Sequence, residues 1–304
     1  MAKKNRKTQQ LPEGMSRRQA KLAARAAERS ALDRDPRPFG GLAMEADLIA
    51  LQEFVPSAAA LLPLTIESPR PVQVVTVLPG AAAAVVREDD ALVALQAGSR
   101  SQNPGRDLAY AINWVVNAEV GETLGSAIAD GSEPQLKDLV RPDASLDVKE
   151  YEDFHWWLPD NDPSLLAPEM AASLQAANDA IIPSTRIHAD IPGCAWWVDP
   201  GTKAHIRWIF PTDSEDQLLR ALARVAARGD LALGEGSKFA GVFRTHGIIV
   251  PVFDVDRTQS SDSFAPLLEA LAEQLHVAYQ DETSLDSEER RKLQNIKSRE
   301  VTIR

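Results

Sequence analysis

Apolar residues recur along this chain with two spacings, that of an amphipathic helix and that of a half-buried strand. The clearest helix begins with a capping box, in which Ser214 is followed three positions later by Gln217. An apolar stripe with helical spacing follows, and Gly229 lies where the stripe ends. Similar periodicity predicts further helices over residues 16–32, 44–62 with a break at Pro56, 103–121, 168–183 and 264–279.

Strands are predicted between these helices, where short runs of β-branched and aromatic residues are bounded by turn residues. The clearest pair, Phe239 to Arg244 and Ile248 to Val255, forms a hairpin that turns at Thr245-His246-Gly247. Further strands are predicted over residues 72–78, 81–86, 91–95, 154–158, 186–189, 195–199 and 204–210.

The two halves of the chain resemble each other. A shift of 113 residues aligns residues 79–97 with 192–210 without a gap, with five identities in 19 columns. In both halves a Pro-Gly turn precedes two strands and a capped helix. Hairpins dominate and no regular βαβ alternation runs through the chain. The sequence therefore predicts an α+β fold of two tandem pseudo-repeated units, each a mainly antiparallel sheet with helices on one face, preceded by a basic helical arm.

Composition sets the predicted boundaries. Residues 121–150 are rich in Gly, Ser, Asp and Pro, which is typical of a loop or linker. The predicted parts are a basic, partly helical arm (1–38), a first α+β unit with its linker (39–150), a second α+β unit (151–283) and a charged tail (284–304).

Charge is divided unevenly among these parts. The whole sequence holds 33 Lys or Arg and 44 Asp or Glu, for a net charge of −11. Residues 1–37 contain 11 of the bases and four of the acids, so the body is strongly acidic. An acidic body repels polyanions at long range, so any phosphate-binding role would have to lie in the arm or in a local patch. The nucleic-acid candidates are Lys3, Lys4, Arg6, Lys7, Arg17, Arg18, Lys21 and Arg25. The alternative is a solvated tail without a partner.

Polar residues on one strand face predict a ligand site. Within the strand at 204–210, His205 and Arg207 lie opposite the apolar face, and further polar residues lie on the last hairpin and in the turn before it. The ligand-binding candidates are His205, Arg207, Glu235, Arg244 and His246. The alternative is an ordinary solvated polar face, since no spacing among them defines a catalytic or metal site.

Tryptophans and a row of arginines predict an interaction surface. In each of the pairs Trp156-Trp157 and Trp196-Trp197, alternation directs one ring to the core and leaves the other for solvent, a helix or a partner. Three arginines at helical spacing follow in the strongest helix. The interface candidates are Trp157, Trp196, Arg220, Arg224 and Arg228. The alternatives are core packing of the rings and a solvated arginine face.

The sequence lacks the motifs of common enzymes. It contains no Gly-Xaa-Ser-Xaa-Gly elbow, P-loop, dinucleotide fingerprint or His-Glu-Xaa-Xaa-His helix. Its single cysteine, Cys194, and five scattered histidines form no metal-ligand spacing. We therefore expect no cofactor and no metal, and the pattern favours a protein that is not an enzyme. The N-terminal segment lacks the apolar run of a secretory signal, which favours a cytoplasmic location.

Several stretches resemble a known family. They are Lys203-Ala-His-Ile-Arg-Trp-Ile-Phe-Pro, Leu218-Leu-Arg-Ala-Leu-Ala-Arg, Leu233-Gly-Glu-Gly, Phe243-Arg-Thr-His-Gly and Val250-Pro-Val-Phe-Asp. Over residues 38–304 the chain resembles an uncharacterised actinobacterial domain-of-unknown-function family, which implies no catalytic residues. Some members of that family look to carry an N-terminal SEC-C zinc segment. This chain has no cysteine before residue 194 and therefore departs from that pattern.

Together these features predict a cytoplasmic binding or adaptor protein without enzymatic activity. Its acidic body would bind a protein partner, and its arm an anionic partner such as RNA. Two alternatives stay open, a small-ligand-binding protein or enzyme that uses the polar candidates of the second half, and a DNA-binding protein that acts through the arm. No membrane contact is expected.

Overall fold

The computed structural model describes residue 22 and residues 34–77, 82–95, 101–158 and 162–302. The predicted arm helix lies almost wholly outside the described residues. All eight nucleic-acid candidates lie outside them as well.

The first sheet is built from strands of two to five residues: β1 (Ala58–Leu61), β2 (Val72–Thr76), β3 (Ala84–Val86), β4 (Ala91–Leu95), β5 (Thr123–Leu124) and β6 (Val148–Glu150). Its six strands lie in the order β5-β3-β4-β2-β1-β6. All neighbours are antiparallel except β2 and β4, which run parallel.

The second sheet is also six-stranded and lies in the order β12-β10-β11-β9-β8-β7. Only β10 and β12 run parallel. The strands are β7 (Ser184–Ile187), β8 (Cys194–Val198), β9 (Ala204–Ile209), β10 (Lys238–Thr245), β11 (Ile248–Val255) and β12 (Glu300–Thr302). The predicted α+β class and two-sheet organisation are confirmed.

The helices of the described residues are α1 (Glu45–Glu53), α2 (Pro104–Asn117), α3 (Leu136–Leu139), α4 (Pro168–Asp179), α5 (Glu215–Arg228), α6 (Ala265–Tyr279) and α7 (Ser287–Ser298). The predicted start and end of α5 are correct, since the side chain of Ser214 accepts a bond from the backbone of Gln217 and Gly229 is left-handed. Helix α7 and strand β12 form in the segment predicted as a charged tail, and α7 buries Ile296 against the second core.

The hairpin β3-β4 and the hairpin β8-β9 have the same register under the 113-residue shift. The pairs Ala84↔Val93 and Val85↔Leu92 become Trp197↔Ile206 and Val198↔His205, and both are pairs of the second sheet. Beyond these hairpins the sheets differ. The next neighbour of β4 is the parallel strand β2, whereas the next neighbour of β9 is the antiparallel strand β11. The architecture is consistent with tandem units whose surroundings have diverged.

Helix α1 lies between the two sheets. Seven of its nine residues are buried, including the charged Glu45 and Asp47, so the helix presents no broad face to solvent. Its side chains share one core with Val74 of the first sheet and with Trp196 and Ile248 of the second. The opposite face of the second sheet packs on α5, α6 and α7, which form a separate core. We call the face of each sheet that packs on α1 its inner face. The inner faces of both sheets are therefore covered by the same helix.

The outer face of the first sheet is also covered. Phe154, Trp157 and Leu174 pack there against β1, β2 and β4. The prediction of a strand at residues 154–158 was wrong, because residues 155–157 form a short 3₁₀ helix. Adjacent side chains of a 3₁₀ turn are not held on opposite faces, which allows Trp156 and Trp157 to pack together with ring centroids 5.3 Å apart.

Residues 34–39, hereafter the strap, cross between the two units. A Cβ atom on Gly105 would overlap the carbonyl oxygen of Pro38, and one on Gly247 would overlap that of Pro36. The guanidinium of Arg37 donates to both carboxylate oxygens of buried Glu45, at 2.7 and 2.8 Å, and to Asp213 at 3.1 Å. The strap thus fastens α1 of the first unit to the second unit.

A buried ion pair also joins the units. Nη1 of Arg186, on β7, lies 2.6 Å from Oδ1 of Asp47 on α1. Burial raises the pKa of Asp47, and the charge of Arg186 opposes that rise. The backbone N–H of Arg186 donates to the carboxylate of Glu150 on β6, so the edge strands of the two sheets are linked.

None of the helices in the described ranges has the length and apolar character needed to cross a bilayer.

Candidate functional site

A cleft lies where the strap, α1 and the two sheets meet. It consists of two cavities that share Glu53, one of about 300 Å³ and one of about 380 Å³. Thr76 and Leu95, at the carboxyl ends of the parallel strands β2 and β4, line the larger cavity. Open sheets commonly bind ligands beyond the carboxyl ends of parallel strands. We call the two cavities together the junction cleft.

The smaller cavity is mainly polar and contains a histidine–carboxylate pair. Nε2 of His246 lies 2.7 Å from Oε1 of Glu53, and both side chains are only 11% exposed. This separation is within hydrogen-bond distance. The centroid of the His246 ring also lies 5.8 Å from that of Phe39, the last residue of the strap. The pair connects α1 with the β10-β11 turn across the unit boundary.

His246 reaches this position through an unusual backbone. It is the one non-glycine residue of the described chain with a positive φ, at 48°, and Gly247 follows with a φ of 73°. Two successive positive φ angles are required by the type I′ turn that joins β10 to β11 without a longer loop. Asn or Asp commonly occupies the first of these positions, but histidine is also enriched in this region. The turn predicted at Thr245-His246-Gly247 therefore forms at His246-Gly247, and Thr245 is the last residue of β10.

The larger cavity is mainly apolar and holds one guanidinium group. Its walls include Phe54, Phe154 and Ile181, and Arg207 of β9 projects from the second sheet into it. The guanidinium of Arg207 lies over the ring of Phe54, with Cζ 5.1 Å from the ring centroid. Burial lowers the pKa of this arginine from its usual range.

Two polar groups of the larger cavity lack hydrogen-bond partners. Nε of Arg207 and Oε1 of Gln52 are buried, and neither bonds to any group in the part of the chain that the structure describes. Arg207 also forms no ion pair with a described carboxylate. The interaction that the structure gives its guanidinium is the cation–π contact with the ring of Phe54. Buried polar groups are usually satisfied, and exceptions mark sites that bind water, ions or ligands. The cleft can therefore supply a charged donor and a neutral acceptor to a bound molecule.

The five ligand-binding candidates do not converge on one site. His205 and Arg207 share a cavity of about 200 Å³ on the inner face of the second sheet. Arg207 also lines the larger cavity of the junction cleft, whereas His246 lines the smaller one. Arg244 instead bridges Glu215 at 2.7 Å and Glu300 at 2.8 Å, which ties β10 to α5 and β12. Glu235 is exposed in the turn before β10. The structure therefore does not bring the five candidates together in one cluster, because the spacing of residues along a strand determines their face but not their distance from other loops.

His205 has a role of its own in the sheet. Its Nδ1 lies 2.9 Å from Oδ1 of Asp254, and Nζ of Lys203 lies 2.5 Å from Oδ2 of the same carboxylate. Burial of Asp254 would raise its pKa, but the bond and charge of Lys203 and the contact with His205 outweigh burial and lower it. This trio is satisfied internally and joins β9 to β11.

Three of the five interface candidates are buried. Trp196 is fully buried on the inner sheet face, Trp157 is 8% exposed and donates Nε1–H to the carbonyl of Thr76 at 3.2 Å, and Arg224 is 2% exposed. They are core residues rather than surface anchors. Helix α1 covers Trp196, the end of α6 covers Arg224, and Trp157 packs on the outer face of the first sheet. Arg220 and Arg228 are exposed, and Arg220 pairs with Asp216 at 2.6 Å.

Sequence reasoning missed Glu53, Gln52 and Phe54, although all three line the cleft. They lie together at the end of α1, where a signal was present: an amide and an acid follow the apolar run Leu48 to Leu51 and precede Pro56. The partners of Glu53 and Phe54 are more than 150 residues away, so only the tertiary fold reveals these contacts. Among the described residues, no group of three or more His, Cys, Asp or Glu side chains is arranged to hold a metal ion.

Comparison with known proteins gives one match. A family model described as a family of unknown function (DUF5926) matches residues 38–304. No curated protein and no solved structure matches the chain. The resemblance to an uncharacterised family, over these same residues, is confirmed.

Proposed function

The chain belongs to the family of unknown function DUF5926, and we propose that it is a binding protein whose junction cleft holds a small organic anion. The observation that carries the proposal is Arg207, a largely buried guanidinium without a described carboxylate partner, at the wall of an apolar cavity. A charge withdrawn from water is costly unless it is paired. A ligand carboxylate or phosphate would supply that pair in the planar geometry that a guanidinium favours.

The rest of the larger cavity suits the body of such a ligand. Phe54 and Phe154 provide aromatic surface, and Ile181 and Ile182 at the end of α4 provide aliphatic surface. A cavity of this size with few polar groups is typical of small-molecule sites. Oε1 of Gln52 adds an acceptor for a hydroxyl or amine of the ligand.

The polar half of the cleft favours binding over nucleophilic catalysis. Within the described residues no serine, threonine or cysteine side chain forms a hydrogen bond with His246. The Oγ atom of Ser101, which lines this half, accepts from the backbone of Asn103 at 3.0 Å. Activation of a nucleophile needs a base within hydrogen-bond reach, and His246 instead pairs with Glu53.

The test replaces Arg207 by Met and measures the affinity for matched charged and neutral probes by isothermal calorimetry. The probes are benzoate and octanoate, each paired with its uncharged amide. Loss of one charged hydrogen-bonding group costs about 1.5–3 kcal/mol, so we expect about 10- to 100-fold weaker binding of the acids and little change for the amides. Arg207→Lys keeps the charge but not the planar fork and is expected to fall between the two.

Arg220→Met provides the matched control, since that arginine is exposed on α5. The affinity of the Arg220→Met variant for both acids should equal that of the unaltered protein. If the acids bind Arg207→Met and the unaltered protein equally well, or bind neither, the cleft is not an anion site of this class.

A second candidate function is the adaptor role, and the charge division of the sequence favours it. Residues 1–37 are basic whereas the whole chain has a net charge of −11. We propose that the arm contacts an anionic partner such as RNA and that the acidic body binds a protein.

Affinity purification of the full chain and of residues 34–304, each with and without nuclease, tests this role. The cut is placed before the strap, because Arg37 pairs with Glu45 and Asp213. We expect nucleic acid with the full chain only, and one stoichiometric protein with both. Nucleic acid retained equally by the shorter chain would contradict the arm's part.

A further inference from the structure

A further cavity lies in the second unit, apart from the junction cleft. It has a volume of about 330 Å³ and lies between the end of α5, the start of β10 and helix α7. Three basic side chains line it, Lys238, Lys292 and Arg299, and no acidic residue is among its described lining. We call it the basic pocket.

Two of the three basic side chains of this pocket have no acidic partner among the described residues. Lys238 and Arg299 make no side-chain hydrogen bond or ion pair with any residue in the described ranges. Lys292 approaches Glu288, on the same helix, only to 4.0 Å, and both side chains are partly exposed. This local excess of positive charge stands out in a chain with 44 acids and 33 bases. Like charges that face one cavity repel, and a bound anion relieves that repulsion.

The floor of the basic pocket is apolar and aromatic. Leu231 and Ile296 are buried there, and Phe239 is half-buried beside them. The Phe239 ring is fixed by an edge-to-face contact with Phe253, with centroids 5.5 Å apart and planes at 68°. Asn295 adds an amide that can both donate and accept. An inorganic anion would contact the basic side chains but would cover none of this apolar surface.

We propose that the basic pocket binds a small phosphorylated molecule with a planar organic group, of the nucleoside monophosphate class. The phosphate would lie among Lys238, Lys292 and Arg299, and the planar group would pack on Phe239. Phosphate oxygens are the acceptors that lysine and arginine bind best, and aromatic rings stack on nucleobases whatever the base. The site shares no residue with the junction cleft and does not depend on the function proposed above.

The experiment titrates the full chain with adenosine monophosphate, inorganic phosphate and adenosine, followed by calorimetry and by ³¹P resonance shifts. We expect saturable binding of the monophosphate, weaker binding of phosphate and none of adenosine. The double variant Lys238→Gln/Arg299→Gln should weaken monophosphate binding about 30-fold, with about fivefold from each exposed charge alone. Affinity should also fall as salt is raised.

A matched control carries the same change in net charge elsewhere. Lys137→Gln/Arg141→Gln alters two exposed residues of the first unit and should leave the affinity unchanged. Both double variants should melt at the temperature of the unaltered protein, since the four side chains are exposed. The proposal is overturned if the two double variants bind the monophosphate equally, or if none saturates at concentrations up to about 10 mM.

Discussion

Replacing Gly193 by Ala is expected to lower the free energy of unfolding by about 3–4 kcal/mol. Gly193 immediately precedes β8 and has a φ of 79°, which costs an L-residue about 1–2 kcal/mol. Its Cβ would overlap the carbonyl oxygen of Ile209 and lie 2.5 Å from Cδ of Pro211. Both contacts come from the end of β9 and the residues after it. Forced overpacking of this kind adds about 1–3 kcal/mol.

Gly229→Ala separates the two contributions. Its φ is 89°, but a Cβ there would have no neighbour within 4 Å. We expect a loss of about 1 kcal/mol, the cost of the left-handed backbone alone. Urea unfolding of both variants measures the difference. Equal midpoints would show that the approach of β9 to Gly193 does not constrain this turn.

Replacing Arg224 by Met is expected to cost about 2–3 kcal/mol. Its guanidinium donates to the carbonyl of Thr283 at 2.5 Å and to that of Ala278 at 3.4 Å, and lies 3.2 Å from Asp281. These bonds fasten α5 to the end of α6 and to the segment that leads into α7. Removing one partner of a buried pair leaves the others unsatisfied, which costs about 3–5 kcal/mol when all are buried. Asp281 is partly exposed, which reduces the expected loss.

Arg220, one turn earlier on α5, is the natural control for Arg224. It is exposed and pairs with Asp216 at i, i−4, an interaction worth about 0.3–0.5 kcal/mol. Arg220→Met should therefore unfold at nearly the same urea concentration as the unaltered protein. If Arg224→Met unfolds there too, the guanidinium contributes nothing to the packing of α5 and α6.

These two arginines also show what the sequence could and could not predict. Helical spacing correctly placed Arg220, Arg224 and Arg228 on adjacent turns of α5, and the apolar stripe correctly placed the second core. Helical spacing does not show how much of the surface of α5 is covered by other helices. The side of α5 that carries Arg224 lies under the end of α6, so a residue predicted as a surface anchor is buried.

The Trp196-Trp197 pair illustrates the same limit on a strand. Alternation predicts that one ring of the pair is buried, and Trp196 is the more buried member. Trp196 is nevertheless one of the predicted interface residues. Trp157 is also the more buried residue of its pair, but it lies in a 3₁₀ helix, where alternation does not apply. Alternation assigns neighbours to opposite faces, but it cannot identify which face a distant element covers. In β8 that element is α1, which lies about 140 residues earlier in the chain.

Local elements and their register were predictable because their causes lie within about 20 residues. The capping box of α5, the turn at His246-Gly247 and the two matching hairpins all belong to this class. The junction cleft belongs to the other class. Its two central contacts, Glu53 with His246 and Phe54 with Arg207, join residues more than 150 positions apart, where no spacing rule applies.

The shared position of α1 has a consequence for the synthesis of this protein. The helix is complete at Glu53, but its second apolar face is covered only after β8 and β9 have been made, about 150 residues later. At translation rates of about 5–20 residues per second this interval is on the order of ten seconds. Throughout that time the side of α1 that packs on the second sheet in the finished fold has no second sheet to cover it.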